Sequence, residues 1–322
     1  MIKNALLPGA HLRVVSPASP PKKDEVIPES AEYLRSLGFR VSLGAAVGER
    51  VGFLAGSDKA RARDLHAAFR ARSVDGVICL RGGYGTQRIL PLLSMKEIAQ
   101  TGKPLIGFSD ITALLLSCSR YGGWAIHGPM AASVMNDSAI SLFSRDHLIA
   151  ALTEPHRERS ILDGYSKKGE TIEVVRSGLV SGRMVGGNLS ILTSLLGTPW
   201  FPNLRNSILF LEEVGEAPYR IDRMLTHLVN SGVLEGVRGV AIGLCASCEF
   251  RNGDGQPEGP TWREVLRERL YPLKIPMVVG LPFGHVPYNA AIPVGQLGML
   301  DAKRGDLVVG GKAARGGLRR VK

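Results

Sequence analysis

An apolar run passes directly into a helix-like run in residues 104–117, which read PLIGFSDITALLLS. The first five residues are typical of a short buried strand, and the run that begins at Ile111 is typical of a helix start. Ser109 is therefore predicted on a sharp strand-to-helix turn, which would expose its hydroxyl at the carboxyl edge of a sheet beside the first helical N–H groups. Serine is also an ordinary helix cap, so this stretch by itself predicts either a nucleophile or an N-cap.

The first part of the chain alternates strand-like and helix-like segments around this turn. Strands are predicted at 12–16, 39–43 and 74–80, and helices at 24–37, 57–72 and 86–93. Such alternation implies right-handed crossovers and a parallel sheet, which binds ligands at the carboxyl ends of its strands. We therefore predict an α/β, Rossmann-like N-terminal domain over residues 1–136.

The pattern changes after this domain. Residues 137–176 are polar and irregular and are predicted to be a linker. Short strand-like segments then dominate, with one clear helix over 220–230. Residues 177–322 are therefore predicted to form a second, β-rich mixed domain with a barrel-like, swivelling arrangement.

Composition narrows the class of protein. The net charge of +11 is compatible with binding to nucleic acid or to an acidic small substrate. However, aromatic residues make up only 6% of the chain and do not alternate with the cations. A stacking platform for bases is therefore not expected, and the basic residues near the carboxyl end, from Lys312 onward, are interpreted as a solvated tail. No apolar run reaches 18 residues and the amino terminus lacks the apolar length of a signal peptide, so we expect a cytoplasmic protein without a membrane partner.

A reactive serine needs a base within hydrogen-bond reach and an acid that orients the base. His285, in a loop after a strand, and His127, which follows another predicted strand, are equally placed candidates for the base. Glu212 and Glu213 end a buried strand; because neighbours on a strand point to opposite faces, only one of them can face a given site. Glu216 and Asp222 are further candidates for the acid.

A glycine-rich run, RGGYG at residues 81–85, follows the strand over 74–80. It lacks the spacings of the common phosphate-binding loops, so a nucleotide cradle is not predicted. Its backbone N–H groups could instead stabilise an oxyanion beside Ser109, or the run could be a tight turn and nothing more. Cys245 and Cys248 form a C-x-x-C pair without a second pair at a suitable spacing, so no metal and no cofactor are expected.

The chain resembles the LD-carboxypeptidases, cytosolic serine peptidases of murein recycling. The resemblance rests on seven runs in the family's order: VSPASP at 15–20, RGGYG at 81–85, GFSDIT at 107–112, HGPM at 127–130, GGNLS at 186–190, LEEVGEAPYRIDR at 211–223 and GH at 284–285. Together they cover nearly the whole chain and are far more specific than any one of them. Many family members have Asp where this chain has Glu213.

The resemblance implies a Ser–Glu–His triad in which Ser109 is the nucleophile, Glu212 the orienting acid and His285 the base. It also implies an oxyanion hole made by the backbone N–H of Asp110 and of a glycine, which we assign to Gly83 with Gly82 as a close alternative. The implied substrate is murein tetrapeptide, from which the terminal D-alanine is released without a cofactor, and the implied assembly is a homodimer.

Three other interpretations fit parts of the sequence. A sister branch of the family hydrolyses microcin-like peptidyl or aminoacyl nucleotides, but it departs from the run at 214–220 that this chain retains. An α/β-hydrolase shares the order Ser, acid, His, but would have glycine where Ile111 stands. A binding module on a doubly wound sheet would not need the three side chains to converge. Arg81, Arg220 and Arg223 are each candidates for holding the substrate's carboxylate.

Overall fold

The computed structural model describes residues 5–133, 139–166, 171–249 and 259–310. The chain forms two compact units. The first comprises Met1–Pro155, Thr198–Pro202 and Pro287–Gly295, and the second comprises His156–Gly197, Asn203–Val286 and Gln296–Lys322. The expected basic tail from Lys312 lies outside the described residues.

The strands, in chain order, are β1 (His11–Val15), β2 (Arg40–Leu43), β3 (Gly76–Cys79), β4 (Pro104–Gly107), β5 (Trp124–His127), β6 (Arg159–Ser160), β7 (Glu173–Arg176), β8 (Leu179–Asn188), β9 (Ser207–Val214), β10 (Gly239–Ala246), β11 (Met277–Val279), β12 (Ile292–Val294), β13 (Leu297–Asp301) and β14 (Asp306–Val309). The α-helices are α1 (Val26–Ser36), α2 (Asp58–Arg70), α3 (Thr86–Ile89), α4 (Met95–Gln100), α5 (Thr112–Arg120), α6 (Ala139–Thr153), α7 (Leu189–Ser194), α8 (Pro218–Asn230) and α9 (Trp262–Leu270). In the ranges that the structure describes, no helix is both long and apolar enough to cross a membrane.

The first unit contains a six-stranded sheet in the order β12-β5-β4-β3-β1-β2. Strands β1 to β5 are parallel, and β12 pairs antiparallel with β5. The sheet interior is apolar, with Val14, Ile78, Ile106 and Ile126 fully buried. The predicted parallel α/β domain is confirmed, and α4 is a short helix that the sequence pattern did not indicate.

The expected division of the chain needs correction, because the segment predicted as a linker, 137–176, contains regular structure. Helix α6 buries Leu148 and Leu152 in the core of the first unit, although the polar residues that flank it suggested a loop. The same helix holds a distant segment, since the Ser144 hydroxyl donates to the Pro287 carbonyl at 2.9 Å and accepts from the Asn289 N–H at 2.9 Å. The first unit therefore extends to Pro155 and recruits residues 287–295.

The second unit contains an eight-stranded mixed sheet in the order β6-β14-β13-β8-β9-β10-β11-β7. Its centre, β8 to β11, is parallel, and the outer strands pair antiparallel. The predicted β-rich mixed class is confirmed, and the strands run in a linear order with β6 and β7 at the two ends. Helix α9 was missed, although Thr261 and Glu264 form a capping box at its start.

Candidate functional site

Ser109 lies in a strained turn of the first unit. It follows β4 and begins a 3-10 turn over Ser109–Ile111 that leads into α5. Its φ angle is +63°, a left-handed conformation that costs a side-chain-bearing residue roughly 1–2 kcal/mol. Such strain persists only where the surrounding structure enforces it and is concentrated at functional sites. The predicted strand-to-helix turn is therefore present, with backbone strain that an ordinary N-cap does not need.

The glycine-rich loop over 81–85 lies directly against this turn. A Cβ added to Gly82 would lie 2.8 Å from Ser109 Cβ and 3.0 Å from its Oγ, so only glycine allows the approach. Gly83 has a φ of +117°, and a Cβ there would lie 2.4 Å from the hydroxyl oxygen of Ser19. A side chain at either glycine would clash with its neighbours, so these contacts do not distinguish Gly82 from Gly83 as the backbone donor.

Asp110 connects the two turns of the first unit. Its carboxylate accepts the Thr86 N–H at 2.9 Å, and the Thr86 hydroxyl donates to the Asp110 carbonyl at 2.6 Å. Burial raises the pKa of Asp110, against the hydrogen bonds from Thr86 that lower it. Sequence reasoning used only the backbone of Asp110 and missed Thr86, although Thr86 directly follows the RGGYG run.

A buried arginine supports the same edge of the sheet. The Arg61 guanidinium is fully buried and donates to the Gly85 carbonyl at 3.0 Å and to the Pro17 carbonyl. It also forms an ion pair with Asp58 at 2.5 Å. Arg61 therefore ties the loops after β1 and β3 together, a role that its place in a helical pattern did not indicate.

The second unit brings together the predicted acid and one of the two predicted bases. His285 Nδ1 donates to Glu212 Oε2 at 2.7 Å, and Glu212 on β9 is fully buried. Burial of the imidazole disfavours its charged form, but the hydrogen bond and negative charge of Glu212, helped by Glu213, outweigh this and raise the pKa of His285. Gly284 has a φ of +107°, and a Cβ there would lie 2.7 Å from Glu212 Cβ. The glycine before His285 therefore permits the close approach of its loop to the buried carboxylate.

Glu213 points to a different environment from its neighbour. Its carboxylate accepts from the Ser190 hydroxyl at 2.6 Å, the Ser190 N–H at 2.8 Å, the Asn188 amide at 2.9 Å and the Val214 N–H at 2.9 Å. Burial raises the pKa of Glu213, and these hydrogen bonds oppose the rise. The acidic pair thus divides as the strand geometry predicts: one carboxylate holds a histidine, and the other joins β8, α7 and β9. Sequence reasoning gave Asn188 and Ser190 no role.

His127 and His285 were equal candidates from spacing, and the structure separates their surroundings. His127 is fully buried at the end of β5, pairs in register with Gly107 and packs edge-on to Phe108 with ring centroids 5.9 Å apart. His285 keeps its side chain one-fifth exposed and is oriented by a carboxylate. Only the second arrangement combines a partly exposed ring with a carboxylate that orients it.

The arginine candidates lie in different places. Arg81 donates to the Pro20 carbonyl at 3.0 Å in the first unit. Arg220 on α8 is exposed and pairs with Glu216 at 3.3 Å, and Arg223 lies over the Tyr219 ring at 5.6 Å. These contacts leave the choice of a carboxylate partner among the three open.

The cysteine pair lies at the end of β10, where Cys245 is opposite Glu213 in the sheet register. Both cysteines are buried, and a hydrogen bond between them lowers the pKa of Cys248 and raises that of Cys245. Within the described ranges, no group of three or more His, Cys, Asp and Glu side chains is arranged to hold a metal ion.

The candidate residues therefore fall into two sets. Ser109, Asp110 and Gly83 belong to the first unit, and Glu212 and His285 belong to the second. The first set offers a hydroxyl on a strained turn beside the glycine-rich loop, and the second offers an imidazole held by a buried carboxylate. A nucleophile with an oxyanion site and a general base with its orienting acid are the parts that acyl transfer requires.

Comparison with known proteins gives consistent matches along the chain. The LD-carboxypeptidase N-terminal domain matches residues 12–128, and the LD-carboxypeptidase C-terminal domain matches residues 181–300. The murein tetrapeptide carboxypeptidase of Pseudomonas aeruginosa is 32% identical, over 90% of this chain and 93% of that protein.

Solved structures extend the likeness to the whole fold. The crystal structure of muramoyltetrapeptide carboxypeptidase from Oxalobacter formigenes has a TM-score of 0.81 and 30% identity, and covers 94% of this chain and 99% of that one. The microcin C7 self-immunity protein MccF has a TM-score of 0.86 at 22% identity, with 96% and 98% of the two chains covered. At that identity the second likeness concerns the fold.

Proposed function

Because this chain belongs to the LD-carboxypeptidase family, we propose that it is a serine-type LD-carboxypeptidase that releases the terminal D-alanine of murein tetrapeptide in cytoplasmic cell-wall recycling. The observation that carries this proposal is the 2.7 Å hydrogen bond between His285 Nδ1 and the buried Glu212. A histidine held by its Nδ1 presents Nε2 as a proton acceptor, which is the state that activation of a serine needs. We infer the substrate from the murein peptide carboxypeptidases to which the chain is similar, and the reaction type from Ser109, Glu212 and His285.

In the proposed mechanism, Nε2 of His285 accepts the proton of Ser109 while the hydroxyl oxygen attacks the scissile carbonyl carbon. The C–N bond then breaks, and His285 returns the proton to the amine of D-alanine as it leaves. Water, activated by the same imidazole, hydrolyses the acyl-enzyme and regenerates Ser109. Glu212 holds the tautomer and stabilises the imidazolium that forms during each step.

The negative charge on the tetrahedral intermediate needs donors that are already in place. In the proposed site, the backbone N–H of Asp110 and that of Gly83 donate to the oxyanion, with Gly82 as the alternative to Gly83. The tight packing of Gly82 on Ser109 supports a donor from this loop. Each such donor contributes about 3 kcal/mol to transition-state stabilisation in comparable enzymes.

Mass spectrometry of the purified protein with murein tetrapeptide tests the proposal. We expect the loss of one D-alanine and, in ¹⁸O-water, one heavy oxygen in the new tripeptide carboxylate. Ser109→Ala should abolish the reaction. Ser119→Ala in α5 is the matched control, because its hydroxyl donates to the Leu116 carbonyl within the same helix. Turnover that survives in Ser109→Ala would refute the assigned nucleophile.

The proposal includes a homodimer and a substrate preference for peptide over nucleotide. Light scattering coupled to size-exclusion chromatography measures the first. Parallel assays with an aminoacyl sulfamoyl-adenosine-type nucleotide measure the second, and faster hydrolysis of the nucleotide than of the tetrapeptide would assign the chain to self-immunity chemistry instead.

A further inference from the structure

Two exposed aromatic side chains contact each other on the first unit. Phe53 is 63% exposed and Tyr84 is 52% exposed, yet their ring centroids lie 5.3 Å apart in an edge-to-face arrangement. Val51, 56% exposed, is two residues from Phe53. Exposed apolar side chains that group into one patch mark binding sites more often than singly scattered ones do.

Contacts within the first unit hold both aromatic residues near the turn that carries Ser109. Tyr84 belongs to the loop over 81–85, and its N–H donates to the Ser19 hydroxyl at 3.1 Å. Phe53 lies in a turn closed by the bridge between Val51 and Leu54, and Leu54 packs so closely beneath Gly85 that a Cβ there would lie 2.5 Å from its methyl group. The two aromatic residues thus sit on connections that follow neighbouring parts of one sheet edge.

The distance from Ser109 fits one part of a murein substrate. Strands lie about 4.8 Å apart. Tyr84 follows β3, the immediate neighbour of β4, and Phe53 follows β2, three positions from β4, so the connections that carry the pair begin about 5–14 Å from the strand that leads to Ser109. In a sugar-linked murein peptide, three residues separate the scissile bond from the sugar. At about 3.3–3.6 Å per extended residue, they span about 10 Å. A substrate seated at Ser109 and extended towards β2 would therefore bring its sugar to the aromatic pair.

We propose that Phe53 and Tyr84 form a subsite that packs against a pyranose ring and makes the enzyme prefer sugar-linked murein peptide over the free tetrapeptide. This proposal rests on the proposed function and deepens it. The C–H bonds on one face of a pyranose carry partial positive charge, and the faces of aromatic rings are negative, so the two surfaces attract each other and exclude water. An edge-to-face pair offers such a surface at a fixed angle without an ordering cost for the enzyme.

The test compares kcat/KM for disaccharide-linked tetrapeptide and free tetrapeptide in the wild type and in a Phe53→Leu/Tyr84→Leu double variant. Leucine keeps apolar bulk and removes the aromatic faces. We expect the double variant to lose about tenfold more in kcat/KM for the sugar-linked substrate than for the free tetrapeptide, mainly through KM. Tyr121→Leu is the matched control: Tyr121 is also 52% exposed but caps the carboxyl end of α5, at the opposite edge of the sheet.

The outcomes are distinct. Equal losses on both substrates, or no loss on either, would overturn the subsite. A change in oligomeric state in the double variant would assign the pair to contact with a second copy of the chain, which also overturns it. Wild-type protein that releases no D-alanine from either substrate would refute the proposed function itself. Binding of the peptide-free disaccharide, followed by NMR shifts in wild type and in the double variant, tests the subsite independently of catalysis, and equal affinity of the two proteins would contradict it.

Discussion

The two sets of candidate residues are built on different physical principles. The turn around Ser109 relies on backbone conformation: a positive φ at a serine and glycines packed where no side chain fits. The pair of Glu212 and His285 relies on charge, since a fully buried carboxylate accepts a hydrogen bond from the imidazole. The first set is therefore sensitive to side-chain size, and the second to ionisation, so substitutions and pH should affect them in different ways.

The largest effect is expected at Ser109. Ser109→Ala should lower kcat by at least about 10⁴-fold because the nucleophile is lost. Ser109→Gly should be as inactive, but its free energy of unfolding should exceed that of Ser109→Ala by about 1 kcal/mol, since glycine adopts a φ of +63° without a steric penalty. Urea denaturation of both variants measures the difference. Equal stabilities would show that the turn relaxes and stores no strain.

The next largest difference in kcat is expected between variants of the adjacent residues Glu212 and Glu213. Glu212→Gln should lower kcat by about 10³–10⁴-fold, because an amide does not hold the histidine in the required tautomer and charge state. Glu213→Gln replaces an acceptor of four hydrogen bonds, so it should cost about 1–3 kcal/mol of folding free energy with a much smaller effect on kcat. Steady-state kinetics and thermal denaturation of both variants separate the roles. A reversal, with Glu213 the more important for kcat, would exchange the two assignments.

Substitution of the glycine that packs against Ser109 should lower kcat less than the changes at Ser109 and Glu212. In Gly82→Ala, the new methyl group would overlap Ser109 Cβ and displace the hydroxyl, and we expect kcat to fall about 10²-fold with the fold retained. Gly122→Ala is a control for the added methyl group without a clash: nothing lies within 4 Å of the position of its Cβ, although its φ of +73° makes the change less favourable for the backbone than it is at Gly82. Equal kcat in Gly82→Ala and wild type would show that the approach of this loop is unimportant for catalysis.

The smallest expected effect is a pH dependence with opposite signs for activity and stability. Because the pKa of His285 is raised on folding, protonated His285 stabilises the fold fully below its ordinary value of about 6.5, and this stabilisation is lost as pH rises through the folded pKa. Activity should change in the other direction and fall as pH drops, since the protonated ring accepts no proton. The free energy of unfolding of wild type minus that of His285→Gln, measured from pH 5 to pH 9, should therefore decrease while kcat/KM increases. A difference that grows with pH would contradict the acid–base pairing.

Local sequence pattern predicted much of the first unit, because the signals for its strands, turns and helices act over a few residues. Apolar runs, glycine punctuation and helix caps lie within a few residues of the structure they specify, as at the turn that carries Ser109. Helix α6 and strand β12 were not predicted as parts of this unit, because their places depend on contacts between residues far apart in sequence, such as Ser144 with Pro287. Burial of an arginine, as at Arg61, likewise depends on carbonyl groups contributed by two distant loops.

The same limit applies to the candidate site. Alternation along a strand correctly implied that Glu212 and Glu213 face different surroundings, but gave no means of telling which one meets a histidine. The choice between His127 and His285 also depended on a partner 73 positions away along the chain from His285. The family resemblance implies His285, whereas Thr86, Asn188 and Ser190 contact the candidate residues or their neighbours through hydrogen bonds that no spacing rule indicates.

Labelling with a serine-directed phosphonate ester, followed by peptide mapping, tests the central claim most directly. We expect one phosphonyl adduct on Ser109, formed at a rate that rises with pH as His285 loses its proton, and greatly slowed in Glu212→Gln. An adduct on another residue, or no adduct in protein that still releases D-alanine, would contradict a serine nucleophile activated by His285 and Glu212.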